Sequence, residues 1–375
     1  MKIAMIGHKA LPSRIGGIEV VVTELATIMA AKGHEVIAYN RWRNGQDHDE
    51  AEADVYQGVQ LRRVSSPQIP GVNAAVSAFT AARAAAREKP DVIHFHAEGP
   101  AIASIAAHRR HIPVVVTVHG LDWQRKKWGW FARNFLRLAE RTFVKYADEI
   151  IVLSPGNEEY FRKTYGRETI RIPNGIRRME YLAPNLIREK WGLERDGYVL
   201  FLARIRPEKG VEYLIRAFRQ VKTDKKLVIA GPADQEEYDE EMRKLAEGDP
   251  RIVFTGFATG DALKELYGNC CCYCLPSEIA GMPLTLLEAL SAGCRCLVSD
   301  IPENTGVAPG YLHIFPSKNA EKLQESLTAL VNMNRDQEAR EKQIAFIEER
   351  YSWQDVADRT IAVYEQAIRK HSLEK

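Results

Sequence analysis

Near the C-terminal end, residues 275–289 combine an apolar strand pattern, a short turn segment and the start of a helix. A helix start leaves backbone N–H groups without partners and carries the positive end of the helix dipole, so it suits an anion such as a diphosphate. Leu284 and Thr285 place such amides there. Glu288 follows about one turn later, and its carboxylate can accept two hydrogen bonds from the vicinal hydroxyls of a ribose. The segment therefore predicts a pocket for a nucleoside diphosphate.

Two cations follow another apolar segment. Arg204 comes directly after residues 198–203, and Lys209-Gly210 follows at a predicted helix start. Cations at the carboxyl end of a parallel strand suit a diphosphate leaving group. The alternative is a solvated loop, because Arg206 and Glu208 lie between the two cations.

Two glycines, Gly16 and Gly17, separate the first predicted strand from the first predicted helix. Glycines allow backbone to approach a phosphate closely at a helix N-terminus. The alternative is an ordinary tight turn. The chain contains no G-x-G-x-x-G sequence, which argues against a nicotinamide or flavin dinucleotide.

Histidines end two predicted strands of the N-terminal half. His119 follows the apolar run Val114–Val118, at the edge of the sheet where ligands bind in this class of fold. The alternative is a structural histidine at the end of a buried strand. His94 and His96 end another strand and are weaker candidates, although His96 could face the same edge.

Residues 128–146 predict a helix with a distinctive charge pattern. Four basic residues recur every four positions along one side, and we call them the basic stripe: Arg133, Arg137, Arg141 and Lys145. Trp128 and Trp130 lead into the stripe. The opposite side is formed by Phe131, Phe135, Leu138, Thr142 and Tyr146. Two interpretations stay open: a core-packed helix with a solvated basic side, and a surface for anionic lipid or a lipid diphosphate acceptor.

The chain has 375 residues, of which 45% are hydrophobic and 27% charged, and its net charge is +2. These values indicate a soluble protein of two domains and give no electrostatic argument for a nucleic-acid partner. The first apolar run, Ile3 to Ile6, predicts a strand rather than a signal peptide. No segment approaches the ~18 apolar residues of a spanning helix, so we expect a cytoplasmic protein.

Neither the cysteines nor an Asp-x-Asp sequence predicts a metal site. All six cysteines lie between positions 270 and 296, in apolar strand patterns, where cysteine packs as a small hydrophobe. Zinc ligands usually come in pairs on turns instead. Asp47-His48-Asp49 lies among polar residues and predicts a solvated loop. We therefore expect no metal and no cofactor.

The elements that carry these residues alternate between apolar strands and helices, which is typical of a parallel sheet with crossover helices. The segment 172–176 interrupts the alternation, which then restarts. This pattern predicts two doubly wound domains, 1–175 and 176–352, followed by a helix of about 353–371. A polar loop is predicted over 41–57. The predicted strands are 2–7, 35–40, 91–96, 113–118 and 149–153, then 198–203, 226–230, 251–255, 270–275, 294–299 and 312–315.

Three segments together resemble the retaining glycosyltransferases of family 4, which have the GT-B fold: Pro12 to Glu19, Arg204 to Gly210 and Leu275 to Ala289. The resemblance spans both domains and implies two Rossmann-like α/β domains facing across a cleft. It implies a C-terminal domain that binds a nucleotide-sugar donor and an N-terminal domain that binds the acceptor. It also implies that residues 353–375 pack back on the first domain and that hexosyl transfer needs no metal.

The resemblance further implies residue roles. Arg204 and Lys209 would stabilise the diphosphate, Glu288 would hold the ribose, and His119 would contact the transferred sugar. The rest of the donor site would comprise Gly16, Gly17, Ala280, Gly281, Leu284 and Thr285. The implied acceptor is a glycan or a lipid-linked precursor of a surface polysaccharide, which suits a protein on the inner face of the cell membrane.

Ala280 departs from the family signature. That signature has two glutamates with seven residues between them; the second is Glu288, so the first falls at Ala280. Alanine cannot contact sugar hydroxyls as the glutamate does, and Glu278 would point elsewhere on an extended segment. An engineered or impaired transferase is one interpretation. A transferase that handles its sugar differently, a sugar-nucleotide epimerase and a non-catalytic donor-binding protein are the others.

Overall fold

A computed structural model describes residues 1–13, 16–42, 54–66, 73–125, 128–233 and 235–373. The chain divides into two compact units, Met1–Gly175 with Trp353–Lys375, and Ile176–Ser352. Each unit is a Rossmann-like α/β domain built on a mainly parallel sheet, which confirms the predicted fold class.

The described residues of the first unit form a sheet of eight strands in the order β3-β4-β2-β1-β5-β6-β7-β8. Neighbouring strands are parallel except β3 and β4. The central strands β5 and β6 are buried along their whole length, as expected for a sheet covered on both faces. The strands are β1 (Lys2–Ile6), β2 (Glu35–Trp42), β3 (Val55–Tyr56), β4 (Val59–Ser65), β5 (Val92–His96), β6 (Val114–Val118), β7 (Glu149–Val152) and β8 (Ile170–Arg171).

Helices cover this first sheet. The C-terminal helix, Trp353–Leu373, belongs to the same unit and contacts the first helix. It is held by His371, whose Nδ1 lies 3.0 Å from Oδ1 of Asp148. The other helices are α1 (Gly17–Ala31), α2 (Asn73–Arg87), α3 (Glu98–Ala101), α4 (Ser104–His108), α5 (Trp130–Tyr146) and α6 (Pro155–Tyr165).

The second unit has a parallel sheet in the order β11-β10-β9-β12-β13-β14. Its strands are β9 (Tyr198–Leu202), β10 (Lys226–Ala230), β11 (Ile252–Gly256), β12 (Cys272–Leu275), β13 (Cys296–Ser299) and β14 (Leu312–Phe315). Its helices are α7 (Leu186–Trp191), α8 (Val211–Gln220), α9 (Glu236–Ala246), α10 (Gly260–Asn269), α11 (Leu284–Ser291), α12 (Pro302–Thr305), α13 (Ala320–Val331) and α14 (Gln337–Arg350).

The cysteines lie in the core of the second unit, as predicted: all six are buried and none forms a disulfide. The strand limits were predicted too early. Strand β12 begins at Cys272 rather than Cys270, and β13 begins at Cys296 rather than Cys294.

The loop prediction for 41–57 was wrong at both ends, because β2 runs to Trp42 and β3 covers Val55–Tyr56. Strand β4 was not predicted at all. Its buried residues Val59, Leu61 and Val64 do not alternate regularly, so the period-two signal of a strand is broken. Asp47-His48-Asp49 lies outside the described residues.

The basic stripe of α5 is exposed, but the side predicted to lie opposite it is not the side that packs inward. Leu136, Ala139, Glu140 and Phe143 are the buried side chains of this helix. Phe131 and Leu138, which were placed on that opposite side, are 83% and 56% exposed. Steps of four residues advance about 40° around a helix with 3.6 residues per turn, so a stripe at that spacing drifts and does not mark one fixed face.

Candidate active site

Two loops that are distant in sequence meet at the carboxyl edge of the second sheet. They follow the neighbouring strands β9 and β12. Gly210 has φ of +72°, and a Cβ atom there would lie 2.1 Å from the carbonyl oxygen of Pro276. The backbone N–H of Glu278 donates to the carbonyl oxygen of Glu208 at 2.9 Å. The loop of Arg204 and Lys209 therefore packs directly on the segment that leads into α11.

Helix α11 begins at Leu284, and two tyrosines from neighbouring elements fix its first turns. The Tyr267 hydroxyl donates to Oε2 of Glu288 at 2.8 Å. The Tyr273 hydroxyl lies 3.0 Å from Oγ1 of Thr285 and 3.2 Å from the carbonyl oxygen of Leu202. Since a hydroxyl has one proton, Tyr273 donates to the carbonyl and accepts from Thr285. The carboxylate predicted to hold a ribose is thus fixed in place by a hydrogen bond.

Sequence analysis missed both tyrosines, because a tyrosine at a helix end or in an apolar strand looks like an ordinary core residue. Both are buried. Burial and the nearby Glu288 carboxylate raise the pKa of Tyr267 well above its usual range, so its hydroxyl stays a neutral donor.

Ala280 and Gly281 lie half-buried in the segment between β12 and α11. Glu278 does not take the place of the missing glutamate, because other groups already hold its carboxylate. Its Oε1 accepts from the Tyr213 hydroxyl at 2.9 Å, and its Oε2 lies 3.5 Å from Nζ of Lys318. The Glu278 side chain is only 4% exposed. Its role in the structure is to tie this segment to α8 and to the loop after β14.

In the first unit, His119 follows β6 and is half-buried. Its Nε2 lies 3.2 Å from Nδ1 of His96, which ends the adjacent strand β5. Burial lowers the pKa of His119 to about 4 and that of His94 to about 3. These imidazoles are therefore neutral near pH 7, and His119 can act through a hydrogen bond but not through a positive charge.

Gly16 and Gly17 lie at the start of α1. Glu19 approaches this point from within the helix: its Oε1 accepts from the backbone N–H of Lys9 at 3.2 Å. A Cβ atom at Gly16 would lie 2.2 Å from Oε2 of Glu19. A carboxylate therefore already faces this helix start, in keeping with the preference of helix N-termini for negative charge. The phosphate role of the two glycines stays a prediction.

The outward side of α5 combines positive charge with exposed apolar groups. All four residues of the basic stripe are exposed. Trp130 and Phe131 are 71% and 83% exposed, and they contact each other edge to face with ring centroids 4.8 Å apart. Trp128, which leads into the helix, is half-buried.

Glu140, the acidic residue of α5, points inward. Its carboxylate accepts hydrogen bonds from the Tyr160 hydroxyl at 2.7 Å and from Nε1 of Trp123 at 3.2 Å, and the Tyr165 hydroxyl also donates to it. The exposed side of the helix therefore carries cations and apolar groups and no acid.

Neither a metal cluster nor a membrane-spanning helix occurs in the part of the chain that the structure describes. No three His, Cys, Asp or Glu side chains there are grouped as metal ligands. No helix there combines the length and the apolar character that crossing a bilayer requires.

Two family profiles match the chain: Glycosyltransferase Family 4 over residues 15–178 and Glycosyl transferases group 1 over residues 185–370. An uncharacterized glycosyltransferase of Methanocaldococcus jannaschii is 25% identical over 98% of this chain and 99% of its own length. A GDP-mannose-dependent alpha-mannosyltransferase of Mycobacterium tuberculosis is 25% identical over 80% of this chain and 79% of its own. The Anabaena protein HepE, solved in complex with UDP and glucose, superimposes with a TM-score of 0.80 at 16% identity, over 97% of this chain and 99% of HepE.

Proposed function

The chain belongs to the family-4 type of glycosyltransferase, and from this membership we propose that it moves a sugar from a nucleoside-diphosphate donor to a lipid-linked glycan precursor with retention of configuration. The observation that carries the proposal is the packing of Gly210 against Pro276, which joins the Arg204–Lys209 loop to the segment that begins α11. Two cations and a helix N-terminus thereby come from adjoining loops at one sheet edge.

In this proposal the second unit binds the donor. Arg204 and Lys209 stabilise the negative charge that grows on the departing diphosphate, which is the main electrostatic demand of the step. The amides of Leu284 and Thr285 contact phosphate, and Glu288 accepts hydrogen bonds from the ribose. HepE was solved with UDP and the mycobacterial relative is named for GDP-mannose, which supports a nucleotide-sugar donor and leaves its base open.

The first unit contributes His119 and Gly17 in this proposal. A neutral His119 would form a hydrogen bond with the transferred sugar, and Gly17 would offer a backbone amide to phosphate. Charge stabilisation then rests on protein cations alone, so we propose a reaction without metal. Turnover should be unchanged by EDTA.

The acceptor side of the proposal rests on α5. Its exposed side presents the basic stripe together with Trp130 and Phe131, the combination that binds anionic interfaces. We propose that this side meets the anionic inner face of the cell membrane, where a lipid-linked precursor of a surface polysaccharide would be found. The alternative of a basic side that is merely solvated has less support, because the aromatic residues at the start of α5 are exposed.

A donor panel tests this function. UDP-, GDP- and ADP-sugars are screened for a rise in melting temperature, since a ligand that binds only the folded state stabilises it. The donor selected is then incubated with a lipid-linked acceptor, and the anomeric configuration of the new bond is read by NMR. Retention is expected, whereas a product of inverted configuration would contradict the proposal.

A catalytically impaired donor-binding protein is the second candidate, and Ala280 is the observation that favours it. Such a protein would be stabilised by a sugar nucleotide but would release neither sugar nor nucleoside diphosphate, with or without acceptor. Incubation of the selected donor with and without acceptor, followed by measurement of released sugar and nucleoside diphosphate, therefore separates the two candidates.

A further inference from the structure

Four buried or half-buried histidines lie in and after β1, β5 and β6 of the first sheet, and three of them, His94, His96 and His119, contact one another in series. His94 is held on both sides: its Nδ1 lies 2.7 Å from the Tyr364 hydroxyl and its Nε2 lies 2.7 Å from Oγ1 of Thr117. The His94 ring contacts the His96 ring with centroids 4.0 Å apart. His8 is also buried, and its Nε2 lies 3.0 Å from Oδ1 of Asn40.

Among the described residues, the His96 side chain forms one hydrogen bond, with His119. Their rings are nearly parallel, with 30° between the planes and 5.5 Å between the centroids. The bond joins Nδ1 of His96 to Nε2 of His119 at 3.2 Å. The other His96 nitrogen, Nε2, is buried and has no hydrogen-bond partner among the described residues.

A neutral imidazole carries one proton, so only two arrangements of this pair are possible. In the first, Nε2 of His119 donates, and the proton of His96 must then sit on the buried, unpartnered Nε2. In the second, Nδ1 of His96 donates, and its Nε2 is an unprotonated nitrogen. A buried N–H group without an acceptor is unfavourable, and buried N–H groups without partners are rarer in proteins than buried acceptors without partners. The second arrangement is therefore favoured.

We propose that His96 is a positioning residue, which donates from Nδ1 to Nε2 of His119 and so leaves the single proton of His119 on Nδ1. His119 then presents an N–H donor rather than an acceptor to an oxygen of the donor sugar. Only this contact of His119 with the donor sugar rests on the proposed function. The contacts of His94 with Tyr364 and Thr117 hold the ring against which His96 lies, so the orientation of the pair is supported from the core.

Nitrogen NMR of the protein alone, labelled with ¹⁵N-histidine, tests the proton assignment. His119→Asn identifies the His119 signals. We expect wild-type His119 at pH 7.5 to carry its proton on Nδ1. A proton on Nε2 of His119 would overturn the proposal, whatever the protein's activity proves to be.

Two variants separate positioning from packing. His96→Leu removes the donor, and His119 should return to the Nε2–H form that free neutral histidine prefers. His96→Asn offers an amide N–H near the position of Nδ1 and should restore the Nδ1–H form. With the sugar nucleotide chosen by the donor panel, kcat should fall about 10- to 100-fold in His96→Leu, with KM little changed, and recover in His96→Asn.

The two hypotheses fail in different ways. If the tautomer changes as expected but kcat does not, the role of His119 toward the sugar is wrong and the proton assignment stands. If His119 keeps the same tautomer in His96→Leu, His96 does not position it.

Discussion

One side chain, at Ala280, separates this chain from the family signature at the donor site. Glu278, two residues earlier, does not substitute for the family's glutamate, because its carboxylate accepts from Tyr213 and lies beside Lys318. Glu288, by contrast, is fixed by the buried Tyr267. At the scale of residues, the Glu288 carboxylate that we propose to hold the ribose is therefore fixed in place, whereas position 280 has no carboxylate for the proposed contact to the sugar.

Restoring the glutamate should raise turnover. The loss of one transition-state contact commonly lowers kcat by ~10²-fold, so Ala280→Glu should increase sugar transfer by about tenfold or more. Affinity for the nucleoside diphosphate should stay nearly constant, because the side chain addresses the sugar. Ala280→Gln is the matched control, since it adds the same length without the charge. No gain in the glutamate variant would mean that this protein works without that contact.

The loss of stability in acid should depend in part on the buried His8. Burial lowers its pKa from 6.5 to about 4 in the folded protein. Between those values the unfolded chain binds a proton that the folded protein does not, so the free energy of unfolding falls as pH falls through this window. At 1.36 kcal/mol per pKa unit, the loss is roughly 3 kcal/mol.

The measurement compares wild type with His8→Gln by urea unfolding at pH 7 and pH 4.5. The variant should lose less stability between the two pH values, because one histidine no longer takes up a proton on unfolding. Equal losses of unfolding free energy in the two proteins would show that His8 does not contribute to the acid sensitivity.

At the scale of elements, sequence pattern was reliable where burial was continuous. Strands β5, β6 and β10 are short and almost wholly buried, and they were predicted to within one residue. Strand β4 was not predicted, because its buried positions do not alternate regularly. Helix α5 was found, but its faces were not, since which side packs inward depends on Tyr160, Tyr165 and Trp123, whose hydrogen bonds draw Glu140 into the protein.

Vesicle binding should depend on α5. Charges near an anionic membrane contribute ~1 kcal/mol each, so replacing the four residues of the basic stripe with Gln should abolish co-sedimentation with vesicles that contain anionic lipid. The parent protein should bind neutral vesicles weakly and lose binding at high salt. Affinity for the nucleoside diphosphate should not change, because no residue of the stripe belongs to the proposed donor site.

A second quadruple variant controls for net charge. Arg216, Arg243, Lys322 and Lys342 are exposed basic residues of the second unit. Their replacement with Gln removes the same charge and should leave vesicle binding close to that of the parent. If the stripe variant sediments as well as the parent, α5 is only a solvated helix.

At the scale of the whole molecule, the two Rossmann-like units follow from the alternation of apolar strands with helices. The cations at Arg204 and Lys209 were predicted at a strand end, and the structure places them there. What sequence could not supply were contacts between distant segments: Tyr267 with Glu288, His96 with His119, and Gly210 with Pro276. Each depends on which strands are neighbours, and single-sequence pattern does not specify that order.

The central claim is that the Arg204–Lys209 loop binds the diphosphate of the donor, and calorimetric titration tests it most directly. Wild type, Arg204→Ala, Lys209→Ala and the exposed control Lys244→Ala are titrated with the nucleoside diphosphate that the panel selects and with its nucleoside. Each loop variant loses a charge-assisted contact of about 1.5–3 kcal/mol, so its affinity for the nucleoside diphosphate should fall about 10- to 100-fold. Affinity for the nucleoside should hardly change in any variant. The control variant should bind both ligands as wild type does. Equal losses for diphosphate and nucleoside, or none for either, would contradict the account.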